Sequence, residues 1–330
     1  MIGSRLKLSL TGGLLGFALL LCGAAPAEAG TVKIGVLKFG TVSWELDVIK
    51  QHGLDKAAGI DLDIVELASN QATAVALQGG EVDVIVTDWL WVSRQRADGA
   101  DFTFAPYSTS VGSLMVPGDS PIKSLADLAG KRVGIAGGPV DKSWLVIRAM
   151  AAQRDGLDLD ASIEKIFAAP PLLNEQIQLG EIDAVINNWN FVAQLEAKGY
   201  RKIAGAEEAA HELGITTAVP LLGYVFSAKW AAEHKADVLG LIEASRQAKK
   251  ILAESDEEWQ RLRPMMKAPD DATFTALRDG FRDGIPKVWG DAERTDAAAL
   301  FAIMAKLGGK ELVGKSATLQ PGTFWADTSY

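Results

Sequence analysis

One cysteine in 330 residues, three histidines and no run of basic residues narrow the possibilities before any motif is read. The cysteine, Cys22, falls inside an apolar N-terminal run. The remainder of the chain therefore has no disulfide framework, no thiol nucleophile and no thiolate metal site. His52, His211 and His234 are scattered, without metal-ligand spacing. A net charge of −9 with no basic stripe gives a nucleic acid nothing to hold. There is no P-loop, no nucleophile elbow and no carboxylate pair of defined spacing, and in "GIAGGP" Pro139 breaks the dinucleotide-binding pattern. With 48% hydrophobic and 23% charged residues, what remains is a chain that can pack a core, and its length suggests about two domains.

The N-terminus reads separately. "MIGSRLKLSLTGGLLGFALLLCGAAPAEAG" places Arg5 and Lys7 before an apolar run and ends in small residues, the order of a signal peptide over residues 1–29, with Ala27 and Ala29 marking cleavage before Gly30. The apolar stretch from Leu8 to Cys22 is interrupted by Thr11 and glycines and is short for a membrane span. Leu21 before Cys22 argues against a lipoprotein, because lipid attachment calls for a small residue there. The expected location is the periplasm, and the mature chain would carry a charge of about −10.

What is present is repetition. "GEVDVIVTDWLW" (80–91) returns as "GEIDAVINNWNF" (180–191), and from Gln78 to Gly99 and from Gln178 to Gly199 the two copies align without a gap. Around each copy, β-branched runs alternate with helical spacing. "TVKIGVL", "IDLDIVEL" and "VDVIVTD" read as strands in the first unit, and "KRVGIAGG", "IEKIFAA" and "IDAVINN" in the second. Ser43 is placed as an N-cap of the first helix. The alternation predicts an α/β protein with largely parallel sheets. Two extended connectors, 108–117 and 216–226, flank the second unit, so lobe II (113–221) is predicted as an insertion into lobe I (30–112 and 222–330), with the C-terminal helices returning to lobe I.

The segments "KIGVLKFGTVSWELDVIKQHGLDKAAGIDLDIVEL", "ALQGGEVDVIVTD", "SPIKSLADLAGKRVGIAGG" and "QLGEIDAVINN" make the chain resemble the periplasmic substrate-binding proteins of ABC importers, in the group that takes nitrate, aliphatic sulfonates, taurine and thiamine-pyrimidine precursors. The resemblance implies a type II two-lobed fold with two hinge strands and a ligand in the interlobe cleft. It implies a non-enzymatic role without a cofactor, in which a monomer captures a small molecule and delivers it to an ABC permease in the inner membrane. Two other roles stay open: a periplasmic ligand sensor, and an enzyme like the pyrimidine-precursor synthases, which rely on a cysteine- and histidine-containing iron site that the mature chain does not offer.

Ligands of open α/β sheets meet the carboxyl ends of strands. Those ends here nominate Thr41, Ser43, Trp44, Asn70, Thr87, Asp88, Trp89, Gly138, Asp141, Trp144, Asn174, Asn188 and Trp189 as the ligand-binding set. Trp44, Trp89, Trp144 and Trp189 would offer aromatic faces, with at least two of them expected on the cleft. Asp88 would take an amine, Asn188 would supply neutral hydrogen bonds, and Gly138 would let the backbone approach closely. Asp141 reads equally well as a helix cap. The strand ends include no arginine, which disfavours a simple sulfonate or nitrate, and the tryptophans, Asp88 and the asparagines tilt toward a planar or cationic nitrogen compound. An organosulfonate held by helix N-termini and Lys142 stays open.

Overall fold

The computed structural model describes residues 1–3, 30–38 and 40–328; the signal-peptide segment lies outside the described residues apart from its first three. Two five-stranded sheets organise the chain. The first contains β1 (Gly30–Leu37), β2 (Ile60–Leu67), β3 (Val84–Asp88), β4 (Phe102–Ser108) and β10 (Leu222–Ser227) in the order β2-β1-β3-β10-β4. The second contains β5 (Ser113–Val116), β6 (Arg132–Ala136), β7 (Glu164–Ala168), β8 (Ala184–Asn187) and β9 (Arg201–Gly205) in the order β7-β6-β8-β5-β9.

The two orders are the same pattern. In each sheet three strands run parallel, and the fourth position is filled by an antiparallel strand that has just crossed from the other lobe: β10 in the first sheet, β5 in the second. This is the two-lobed fold of periplasmic binding proteins, as the resemblance implied. The alternation did not reveal β4 or β9. "FTFAPYS" carries Pro106, which cannot donate to a ladder and suits an edge strand. β4 is such an edge, and the chain's end covers part of it: Phe104 N–H donates to Thr323 and Trp325 N–H donates to Phe104.

Helices join the strands: α1 (Val42–Gln51), α2 (Leu54–Ala57), α3 (Asn70–Gln78) and α4 (Trp89–Ala97) in lobe I, then α5 (Lys142–Asp155), α6 (Leu159–Ser162), α7 (Pro170–Gln178), α8 (Trp189–Glu196) and α9 (Ala206–Glu212) in lobe II. Ser43 is not the cap of α1. The cap position is Thr41, and Ser43 sits inside the first turn with its hydroxyl buried and unbonded.

After β10 come α10 (Ala228–Glu233), α11 (Lys235–Glu254), α12 (Asp256–Met266), α13 (Asp271–Asp283) and α14 (Asp291–Val313). The apolar face of α11, with Val238, Leu241, Ala248 and Leu252, joins Ile34, Ile49, Trp259 and Phe281 in one core on lobe I. α14 does more than return to lobe I, because it packs against both α4 and α5. Leu300, Phe301, Met304 and Leu312 thereby fuse Trp89 and Phe104 of lobe I with Trp144, Leu145 and Val146 of lobe II into a single cluster.

Candidate functional site

Asp88 and Asp141 end β3 and follow β6, one in each lobe, and both cap helices. Asp88 accepts from Trp91 N–H and Asp141 from Trp144 N–H, each at 2.9 Å. The helix macrodipole favours both carboxylates. Lys142, the first residue of α5, crosses the gap and places its ammonium 2.8 Å from Asp88 Oδ2. Burial works against the lysine's charge, but the Asp88 carboxylate outweighs it and holds the ammonium above its ordinary range. Asp141 has no such partner. It is half-buried by area, yet enough protein surrounds it that desolvation pushes its carboxyl up to about 6, against the Trp144 amide and the Lys142 charge. Gly137 and Gly138 turn the chain ahead of it with φ of 80° and 87°, which a side chain would strain.

The repeated Asp-Trp and Asn-Trp pairs do different work. Asn188 stands at the cap position of α8, but its side chain makes no cap bond and is exposed. Asn187 points inward and donates to Pro170 O and to Asn174 Oδ1, both at 2.9 Å. Asn174 in turn donates to the Phe191 carbonyl. Asn174 is therefore corrected from a ligand contact to a buried tie between α7 and β8.

The tryptophans divide in the same way. Trp89 and Trp144 are fully buried, and the expectation that they line the cleft is corrected. Trp89 donates its indole N–H to Pro220 O and packs on Phe301 and Phe324; Trp144 sits under Arg148. Trp44 and Trp189 come together from opposite lobes. Trp44 is also buried, edge-on to Trp259 and tilted on Phe281. Trp189 is half-buried and borders an interlobe cavity of about 280 Å³.

That cavity is acidic. Glu196 and Glu207 from lobe II and Asp279 and Asp283 from lobe I line it, while its one lysine, Lys202, is paired with Glu208. A smaller, mostly apolar cavity of about 40 Å³ is bordered by Lys142, Val146, Leu221, Leu300 and Met304. Thr109 and Val111 of the first connector line both. Thr41, Asn70 and Thr87 stay at the strand ends and partly or fully accessible.

Three groups escaped the sequence reading. Glu45, Lys249 and Tyr224 form a buried network, with Glu45–Lys249 at 2.6 Å and the Tyr224 hydroxyl donating to Glu45 at 2.8 Å. Asp296 of α14 takes four hydrogen bonds from Thr216 and Thr217 at the start of the second connector, two from N–H groups and two from hydroxyls. Burial alone would raise the Asp296 carboxyl, but the Thr217 and Thr216 amides hold it below its ordinary range. The cavity acids also went unread. None of these carries a local motif. His52, His211 and His234 bond separately to Glu258, the Ile215 carbonyl and Asp237. Among the described residues, no group of three or more His, Cys, Asp or Glu is arranged to hold a metal ion.

The family model described as "NMT1/THI5 like" matches residues 47–258, more than half of the chain, and the chain belongs to that family. A search of curated proteins found no match. Among solved structures, the periplasmic aliphatic sulphonate binding protein SsuA from Escherichia coli is similar at 20% identity and a TM-score of 0.72, over 91% of this chain and 93% of that one. The alkanesulfonate-binding protein SsuA from Xanthomonas axonopodis pv. citri, bound to MOPS, has 21% identity and a TM-score of 0.68, over 91% and 99%. The periplasmic nitrate-binding protein NrtA from Synechocystis PCC 6803 has 15% identity and a TM-score of 0.56, over 92% and 78%. At these identities the likeness is one of fold.

Proposed function

We propose that the chain is the solute-binding component of an ABC importer, exported to the periplasm, which closes its lobes on a small organic solute and delivers it to a membrane permease. The solute carries a positively charged nitrogen. The observation behind this reading is the sign of the interlobe space. The cavity between the lobes is bordered by Glu196, Glu207, Glu208, Asp279 and Asp283 against Lys202, and outside it the strand ends add Asp88 and Asp141 against Lys142. Its volume, about 280 Å³, lies near the lower end of the roughly 300–1,000 Å³ usual for small-molecule sites. A solute touching both lobes biases the hinge by its differential affinity for the closed state. Trp189 borders this cavity, and the contacts assigned to the solute beyond it, at the strand ends, are Asp88, Asp141, Asn188, Thr41, Asn70, Thr87 and Gly138.

Native mass spectrometry of the periplasmically purified chain, followed by a melting-shift screen of primary and quaternary amines, cationic heterocycles, alkanesulfonates and nitrate, tests the reading. A ligand at 100 times its Kd adds about 2.7 kcal/mol, enough to move a melting curve visibly. Stabilisation by cations supports the proposal. Stabilisation by sulfonates or nitrate alone overturns the charge assignment, and no adduct and no shift with any class overturns the binding role.

A further inference from the structure

Lys142 occupies an unfavourable position. It is the first residue of a fourteen-residue helix, where the macrodipole disfavours a cation. Its side chain is 30% exposed rather than extended into solvent, and the partner that holds it belongs to the other lobe. Within lobe II the neighbouring Asp141 carboxylate favours the ammonium from a distance; its direct ion pair is with Asp88, whose side chain is only 12% exposed. Asp88's second oxygen already caps α4, so the Lys142 ammonium completes the carboxylate's coordination. The next residue's side chain is tied to the first connector. Ser143, the next residue, accepts the Gly112 N–H at 3.0 Å, and Gly112 O accepts from Ala206 N–H.

We propose that Lys142 is a tethered occupant of the cleft: it joins the lobes through Asp88 when no solute is present, and a solute takes its place by presenting a cation of its own. The exchange conserves charge. Asp88 trades one ammonium for another, and the released lysine can neutralise Asp141 beside it or an anionic group on the same solute. Lys142 thus acts as a specificity-determining residue, because a neutral or purely anionic solute leaves Asp88 without a cation if it parts the pair. The competition rests on the function proposed above; the tether does not.

The test uses the mature chain as wild type, Lys142→Ala, Lys142→Arg and the double variant Lys142→Ala/Asp88→Asn. Lys142→Ala removes the three outer carbons and the nitrogen, which is n-propylammonium. Small-angle scattering should show a larger radius of gyration for Lys142→Ala than for wild type or Lys142→Arg. Millimolar n-propylammonium chloride, compared with equal sodium chloride, should restore the compact form of Lys142→Ala and raise its Tm by about 2 °C or more. The wild type and the double variant should not respond. A Lys142→Ala protein as compact as wild type, or n-propylammonium acting equally on all four, overturns the proposal. Failure here alongside a solute adduct on the wild type would reject the tether and spare the binding role; rescue without any solute found would do the reverse.

Discussion

Trp189 of lobe II stands edge-on to Trp44 of lobe I, ring centroids 6.2 Å apart and planes at 89°. It reaches Phe281 as well, at 6.4 Å, and lies over Gly280, where an added Cβ would come within 3.1 Å of the indole ring. An aromatic pair of this geometry contributes about 0.5–1.5 kcal/mol beyond the area it buries. The contact spans the cleft, so its strength bears on closure rather than on either lobe alone. Trp189→Ala should lower the urea-derived stability by about 1–3 kcal/mol. Gly280→Val should press the indole away and enlarge the radius of gyration. Unchanged scattering in both variants would mean that the pair is incidental to closure.

Glu45 and Lys249 are an ion pair with side chains at 0% and 4% exposure, and Lys249 also lies 4.1 Å from the Tyr107 ring centroid. Burial drives the lysine below its ordinary range, with Glu45 opposing. Burial, followed by the Glu45 charge, keeps the Tyr107 and Tyr224 hydroxyls well above theirs. Removing one partner leaves the other buried and uncompensated. Lys249→Met should cost about 3–5 kcal/mol in chemical denaturation, and Glu45→Leu a similar amount. The double variant should lose clearly less than the sum; full additivity would show that the pair is not coupled.

Asp141 makes stability depend on pH with a defined sign. Its folded carboxyl titrates at about 6, above the ordinary 3.8. The folded state therefore holds the proton more tightly than the unfolded state. The contribution is fully present below about 4 and is lost as pH rises through about 6. Asp141→Asn can keep the helix cap and lacks the titration. Its stability relative to wild type should accordingly grow between pH 4 and pH 7, by roughly 1–3 kcal/mol at this half-buried position, as read by chemical denaturation. A constant difference across that interval would contradict the assignment.

Asp296 anchors the second connector through four hydrogen bonds to two threonines. Asp296→Ala leaves two backbone amides to find water and should destabilise by about 1–3 kcal/mol. Hydrogen exchange at Thr216 and Thr217 should accelerate in the variant while β3 and β8 keep their protection. Unchanged exchange at the two threonines would reject the anchoring role.

The alternation of β-branched runs with helical spacing, together with the hundred-residue offset between the two "GE(V/I)D" copies, made the parallel strands and the lobe pairing legible. Those signals are local, because strand and helix propensity and binary patterning act within about ten residues. β4 and β9 were not legible. Both are edge strands, β4 interrupted by Pro106, and their pairing is set by the antiparallel strand that arrives from the other lobe. Asp88 and Asp141 could be found because a strand end followed by a helix start is a sequence feature. That Lys142 reaches Asp88 could not, since 54 positions separate them and only the packing of the two lobes brings their charges to 2.8 Å.

The tryptophans show where sequence stops. Trp89 and Trp189 occupy the same place in the two copies of one element, at the start of the helix that follows the third strand. Residue type and register are the same, yet Trp89 is sealed between α14 and the C-terminal segment while Trp189 crosses to Trp44. Local residue pattern suffices for each lobe to build this strand, turn and helix. Which tryptophan is buried at home and which faces the other lobe was decided by what packs over it. Both helices involved follow the repeats in the chain: α14 covers Trp89 through Phe301, whereas α13 meets Trp189 through Phe281.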